Sequence, residues 1–351
     1  MATRGKRPSA KKAINLALQG GGAHGAFTWG VLDRLLDEDR LEINGISGTS
    51  AGAMNAAMFK TGIVHGGRDG ARDHLDRFWG SIRDQAQAHA NPVGDWLRLF
   101  SDEAANMVEA LYDNHRHFVQ DTLMRSLSPY EWNPLDLNPL RDLLESLIDF
   151  DIVCMDCAPH LFVGATNVRS GKIRIFSGQE ISTDAILASA CLPFLFRAIE
   201  IGGEAYWDGG YMGNPALFPL FNLEGSRDIV IVVVNPIERV EVPRSARDIL
   251  NRINEISFNS SLLRELRAIS FVRRLIVEGK IGKGQMRDVL IHAVRDDMAM
   301  ARLSVSSKIN PDPELLLRLK ERGRAAAGHF LTQNWGKLGQ ESSVDLRAMF
   351  D

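Results

Sequence analysis

The chain has 351 residues, 45% of them hydrophobic, enough to bury a large core as one domain with insertions. Its 41 basic and 44 acidic residues leave a net charge of −3, without the basic excess that bulk nucleic-acid binding needs. The three cysteines are an odd count, which argues against a disulfide framework.

Residues 1–12 carry Arg4, Lys6, Arg7, Lys11 and Lys12 with almost no apolar neighbour, and read as a disordered, solvated tail. A weak electrostatic contact with an anionic membrane surface is the sharper alternative. The first apolar run, residues 14–18, is too short for a signal peptide, and no run approaches membrane-spanning length. The expectation is a soluble, cytoplasmic protein whose membrane contact, if any, is peripheral.

Residues 14–18 read as a short buried strand ending at Gly20-Gly21-Gly22-Ala23-His24-Gly25. Residues 25–37 follow with apolar side chains mostly at helical spacing. Residues 43–47 form a second strand, and Gly48-Thr49-Ser50-Ala51-Gly52 leads into a small-residue helix over 51–60. Strand, helix, strand, helix in this order predicts a mainly parallel sheet with helices on both faces, a three-layer α/β/α domain.

Residues 68–150 differ in character. They read as a helical insertion packed on the sheet, with apolar clusters at Trp96, Leu97, Leu99 and Phe100 and at Met107, Val108, Leu111 and Tyr112. It is either a cap over the site or plain helical packing without a gating role. Cys154 and Cys157 form a CxxC with no second pair and no histidine pair at metal-ligand spacing, and read as buried thiols.

The sheet resumes at residues 161–166 and 172–176. Ser182 is placed to N-cap a helix over 183–190. Residues 204–207 lead into Asp208-Gly209-Gly210, and 229–234 is a β-branched strand. Beyond Pro243 a long helix aligns Ile249, Ile253, Ile256, Leu263, Leu266 and Ile269 on one face and Arg244, Arg247, Arg252, Arg264, Arg267, Arg273 and Arg274 on the other. The basic face reads as solvated, with a membrane-surface helix as the lesser alternative. A last strand over 289–294 and a last helix over 313–335 complete a C-terminal extension.

Gly20, Gly22 and Gly25 satisfy G-x-G-x-x-G between a strand and a helix, so a dinucleotide site is the first reading to test. It requires a carboxylate at the end of the second strand, where Gly48-Thr49-Ser50 stands instead. A Walker A lysine is also missing. Gly48-x-Ser50-x-Gly52 between strand and helix has instead the pattern of a nucleophile elbow, which lifts a serine to a helix N-terminus. Consecutive glycines let backbone amides converge on one point, as a tetrahedral oxyanion requires. The serine then needs a base, for which Asp208 is the candidate against a structural Asp-Gly turn.

GGGAHG, GTSAG and DGG, in this order and spacing, resemble the patatin-like phospholipases, as do Ser189-Ala190-Cys191-Leu192-Pro193 and the stretch from Asp208 to Pro215. The resemblance covers roughly residues 13–235 and, beyond Pro243, extends to a bacterial subgroup with a C-terminal extension. It implies a catalytic domain over 13–235, with 236–351 a mostly helical extension packed on it. It also implies a Ser50–Asp208 dyad without a catalytic histidine or metal, an oxyanion loop of Gly20, Gly21 and Gly22, and hydrolysis of a lipid acyl ester through acyl-Ser50. Gly25, Gly48, Gly52, Gly209 and Gly210 support these motifs, and no cofactor is expected.

One position departs from the pattern: His24 stands where the family usually has Arg or Lys. A neutral histidine that packs or hydrogen-bonds there is one reading; a protonated His24 holding the oxyanion or a lipid phosphate is the other. Three functional alternatives stay open. They are a storage polyester or other acyl ester as substrate, a Ser-Asp-His triad recruiting His292 or His329, and a non-catalytic lipid-binding regulator on the same scaffold.

Overall fold

The computed structural model describes residues 11–88, 128–133, 136, 138–193, 195–282, 284–303, 306–309 and 312–350. The apolar clusters at 96–100 and 107–112 lie outside these residues, as does almost all of the basic tail. Among the described residues no helix is long and apolar enough to cross a membrane.

Eight strands form one sheet: β1 Lys12–Leu18, β2 Leu41–Gly48, β3 His160–Asn167, β4 Ile173–Ser177, β5 Ile199–Ile201, β6 Glu204–Asp208, β7 Asp228–Val232 and β8 Leu290–Val294. Their order is β5-β6-β3-β2-β1-β7-β8, with β4 paired to β3 off this path. The central five, β3-β2-β1-β7-β8, run parallel, while β4, β5 and β6 join antiparallel. The predicted parallel α/β core is therefore present, with an antiparallel margin.

Alternation along the strands divides the core in two. Ile14, Leu16 and Leu18 of β1, with Val230 and Val232 of β7, face a cluster shared with α1 Ala26–Leu35, α2 Ala51–Ala88 and α7 Pro313–Asn334. Ala17, Ile229 and Ile231 face the opposite layer, closed by Leu262, Leu266 and Ile269 of α5 Ala246–Val277 and by Leu346 and Met349 of α8 Leu346–Phe350. Three further helices, α3 Pro139–Leu147, α4 Thr183–Ser189 and α6 Ser306–Ile309, fill the margins. Ser182 caps α4, its side chain accepting from the Ala185 amide as the sequence predicts.

Several boundaries differ from the sequence reading. The helix after the elbow does not stop at residue 60 but continues to Ala88, kinked at Gly66 and Gly67 where the backbone leaves helical geometry. The first part of the supposed insertion is thus a continuation of α2. In α5, Ile249, Ile253 and Ile256 are exposed and Leu262 rather than Leu263 is buried, so only the second half of the apolar row meets the core. Arg252, assigned to a solvated face, is partly buried and bonds Glu255 and the carbonyls of Pro236 and Ile237. Cys154 and Cys157 are half-buried rather than interior, with Cys154 Sγ donating to the Ile181 carbonyl.

The C-terminal stretch belongs to the same core. It adds β8 to the sheet edge and lays α7 across α1. That crossing is close because both helices are bare at the contact: a Cβ on Gly30 would lie 1.9 Å from the Lys320 carbonyl oxygen, and one on Gly323 would lie 2.0 Å from that of Phe27. Around it Arg72 and Arg324 each bind both Asp33 and Asp37, and Lys320 binds Asp76.

Candidate active site

β2 ends at Gly48 and α2 begins at Ala51, so Thr49 and Ser50 make the whole turn. A chain reversing this sharply forces Ser50 to φ 55°, a left-handed conformation that costs a non-glycine residue on the order of 1–2 kcal/mol. The flanking glycines are sterically required. A Cβ on Gly52 would sit 2.2 Å from the Leu18 carbonyl oxygen, and one on Gly48 would sit 2.7 Å from that of Gly52. The Ser50 amide donates to Ser189 Oγ at 2.8 Å, which fixes the elbow from α4.

Asp208 reaches Ser50 through the register of β3. On one edge of β3, Val163 pairs with Gly48 of β2 and, two residues on, Ala165 pairs with Asp208 of β6. The other edge pairs with β4 over Phe162–Thr166. The two strands therefore meet end to end, which brings the Ser50 side chain close enough to the Asp208 carboxyl to favour its ionised form. Asp208 Oδ1 also accepts from the Gly210 amide at 2.7 Å. Gly209 allows the turn, since a Cβ there would lie 2.1 Å from the Gly164 carbonyl oxygen.

The site is nearly closed, with Ser50 8% and Asp208 1% exposed. Burial pushes the Asp208 carboxyl up to about 7, against the bonds from the Gly210 amide and Ser50 and the charge of Lys308. A carboxylate titrating near neutrality is a competent proton acceptor, which an ordinary aspartate is not. Burial likewise drives the Tyr211 phenol up to about 12, with Asp208 adding to the shift.

The glycine triplet lies beside the elbow. A Cβ on Gly20 would fall 2.6 Å from Ser50 Cβ, and one on Gly25 would fall 2.7 Å from Ala51 Cβ. The Gly20 amide is already taken, donating to Asn214 Oδ1 at 2.6 Å, and its carbonyl accepts from Asn235 Nδ2 at 2.7 Å. Among the described residues the Gly21 and Gly22 amides have no protein acceptor, so of the three expected donors these two remain for an oxyanion. Gln19 ties the loop down, its side chain bonding Asn214, Asn259, Val234 and Asn235.

His24 is buried, with Nε2 2.8 Å from Ser307 Oγ of α6. Burial, and then the neighbouring charge of Lys308, hold its pKa down to about 3. Of the two readings of His24, this burial and the bond to Ser307 favour the neutral, hydrogen-bonding one. The cation near the loop is instead Lys308, a residue no local pattern marks. His292 and His329 both lie away from the elbow. His292 Nε2 pairs with Asp228 Oδ1 at 2.9 Å, at the start of β7 and hence the opposite end of the sheet, and His329 is exposed on α7. Among the described residues no group of side chains could hold a metal ion.

The sequence model of the family described as patatin-like phospholipase matches residues 16–221, more than half of the chain, and the chain belongs to that family. Among solved structures it is similar to VipD from Legionella pneumophila, at 17% identity and a TM-score of 0.41 over 92% of this chain and 67% of that one. It is also similar to ExoU in the heterodimeric ExoU–SpcU complex from the type III secretion system of Pseudomonas aeruginosa, at 16% identity and a TM-score of 0.39 over 94% of this chain and 53% of that one. The chain thus spans about half the length of ExoU. No curated protein sequence matches it significantly.

Proposed function

We propose that the protein is a serine acyl-ester hydrolase acting on lipids, of phospholipase A or lysophospholipase type, with Ser50 as nucleophile and Asp208 as its base. The observation that carries this reading is the pairing of β2 and β6 on one edge of β3, which brings the strained Ser50 elbow and the buried Asp208 together. Membership of the patatin-like phospholipase family supports a lipid as substrate.

In this reading Ser50 Oγ attacks the acyl carbonyl carbon while its proton passes to Asp208. The carbonyl oxygen becomes an anion facing the Gly21 and Gly22 amides, and each such donor is typically worth about 3 kcal/mol of barrier. Collapse of this intermediate breaks the bond to the alcohol, which leaves with the proton from Asp208. Water then attacks acyl-Ser50, giving a proton to Asp208, and the acid is released as the bond to Ser50 Oγ breaks and Asp208 returns that proton to Oγ. Peripheral contact with a membrane fits such a substrate. The exposed Ile249, Ile253 and Ile256 lie on the same helix as Phe258 and Asn259, which pack at the site.

The test is reaction with a fluorophosphonate probe together with release of fatty acid from phosphatidylcholine vesicles. Both are expected in the wild type and absent in Ser50→Ala. Fatty-acid release that persists in Ser50→Ala would sink the reading.

A further inference from the structure

The loop after β1 holds a neutral histidine where a cation would serve an oxyanion, yet a cation has been brought to it from far along the chain. Lys308, partly buried on α6, sits directly against the glycine loop. A Cβ on Gly22, which adopts φ 56°, would lie 2.2 Å from the Lys308 carbonyl oxygen and 3.4 Å from its Cβ. The ammonium group donates to Asn235 Oδ1 at 2.6 Å, and Asn235 Nδ2 in turn donates to the Gly20 carbonyl at 2.7 Å. The adjacent Ser307 binds His24 on the other side of the same loop.

Among the described residues three charged groups act on Lys308. Asp208 and Glu255 favour its protonated form; Arg239 opposes it. His24 feels Lys308 as a repelling charge and is neutral. Glu255 is itself bound by Arg239 and Arg252, so its charge is largely spent on them. Among the described residues Asp208, the other carboxylate that favours the ammonium, has no ion pair with an arginine, and Lys308 in turn favours its ionised form.

We propose that Lys308 is the cation of this oxyanion loop: a positioning residue that holds Gly20 through Asn235 and whose charge favours both the Asp208 carboxylate and the anion formed beside Gly21 and Gly22. The assignment rests on the Ser50 hydrolase reading. It makes residues beyond the family's matched segment a part of the site rather than an appendage. It also explains why the position at 24 tolerates a histidine: a second cation there would repel Lys308 inside a closed site.

Burial draws the Lys308 ammonium down to about 8, so its charge is lost just above neutrality. The experiment is the rate of fluorophosphonate labelling of the full chain, measured across pH in the wild type, Lys308→Met and Lys308→Arg. Thermal unfolding of each variant is followed alongside. Wild-type labelling is expected to rise with ionisation of Asp208 and to fall again as Lys308 deprotonates. Lys308→Met should label about tenfold more slowly near neutral pH, lack the alkaline fall, and have its rising limb moved to higher pH. Lys308→Arg should restore most of the rate and move the alkaline fall upward by about one pH unit or more, because a guanidinium stays charged. A merely structural lysine would not produce these limb movements. Equal rates and profiles in wild type and Lys308→Met, or the same alkaline fall in wild type and Lys308→Arg, would overturn the assignment while leaving Ser50 as nucleophile. Absence of labelling in the wild type would overturn both.

Discussion

Ser189 Oγ accepts the backbone amide of Ser50 at 2.8 Å, so the C-terminal end of α4 braces the residue with the most unusual backbone in the site. Ser189 is fully buried. Replacing it with alanine leaves the Ser50 amide without a partner in a closed site, at a cost of about 1–3 kcal/mol. Ser189→Ala is expected to lower the urea midpoint and to slow fluorophosphonate labelling of Ser50 about tenfold, since the elbow relaxes away from its strained geometry. Unchanged labelling would mean that the elbow holds its shape without this brace.

Asp208 and His24 pull the pH dependence of stability in opposite directions. The folded pKa of Asp208 is raised from its ordinary 3.8 to about 7, so its contribution is fully present below about 4 and lost as pH rises through about 7. The folded pKa of His24 is lowered from 6.5 to about 3, so its contribution is present above 6.5 and lost as pH falls towards 3. Thermal unfolding between these limits should separate them. Asp208→Asn, expected to abolish turnover, should be more stable than wild type at slightly alkaline pH, the gain shrinking as pH falls. His24→Gln should leave a protein that gains stability on mild acidification, with labelling that shows no histidine-like transition. Taken as differences from wild type at each pH, so that Glu265, raised to about 7 as well, cancels, the two variants should show opposite trends; parallel trends would contradict the burial of one or both groups.

The crossing of α1 and α7 makes a further comparison. Alanine at Gly323 gains about 1 kcal/mol of helix propensity. Its methyl would meet the Phe27 carbonyl oxygen at 2.0 Å and the Val31 nitrogen at 2.9 Å, both backbone atoms that cannot rotate aside. Overpacking of this kind costs about 1–3 kcal/mol, so the clash outweighs the gain. Gly328, one and a half turns on, has only the Arg34 Nε at 3.7 Å. Gly323→Ala should therefore lower the melting temperature and Gly328→Ala should raise it. Because α1 continues directly from the glycine loop, Gly323→Ala should also slow labelling of Ser50.

The two glycine turns were legible because their chemistry is local: a strand, a tight turn and a helix lie within a few residues of Ser50 and of Gly20. Asp208 was legible as a motif, but its nearness to Ser50 was not, since that depends on which residues of β3 each strand pairs with. Ser189, Asn235 and Lys308 were invisible for a related reason. Each acts through one polar contact with a residue far away in sequence, and such contacts leave no periodicity. The apolar row of α5 misled in a different way. At about 100° per residue, Ile249 and Ile253 lie about 100° and 140° round the helix from Leu266, so the row drifts off the buried face and its first half is exposed.

The end-to-end meeting of β2 and β6 on β3 acts as a ruler. Two residues of extended backbone, about 6.6 Å, separate the points on β3 where Gly48, at the foot of the elbow, and Asp208 pair. Neither the chain that links β2 to β3 nor the one that links β3 to β6 enters that length. Those connections are free to be exchanged, lengthened or rewritten to admit different esters, and the spacing of the reacting pair would stay the same.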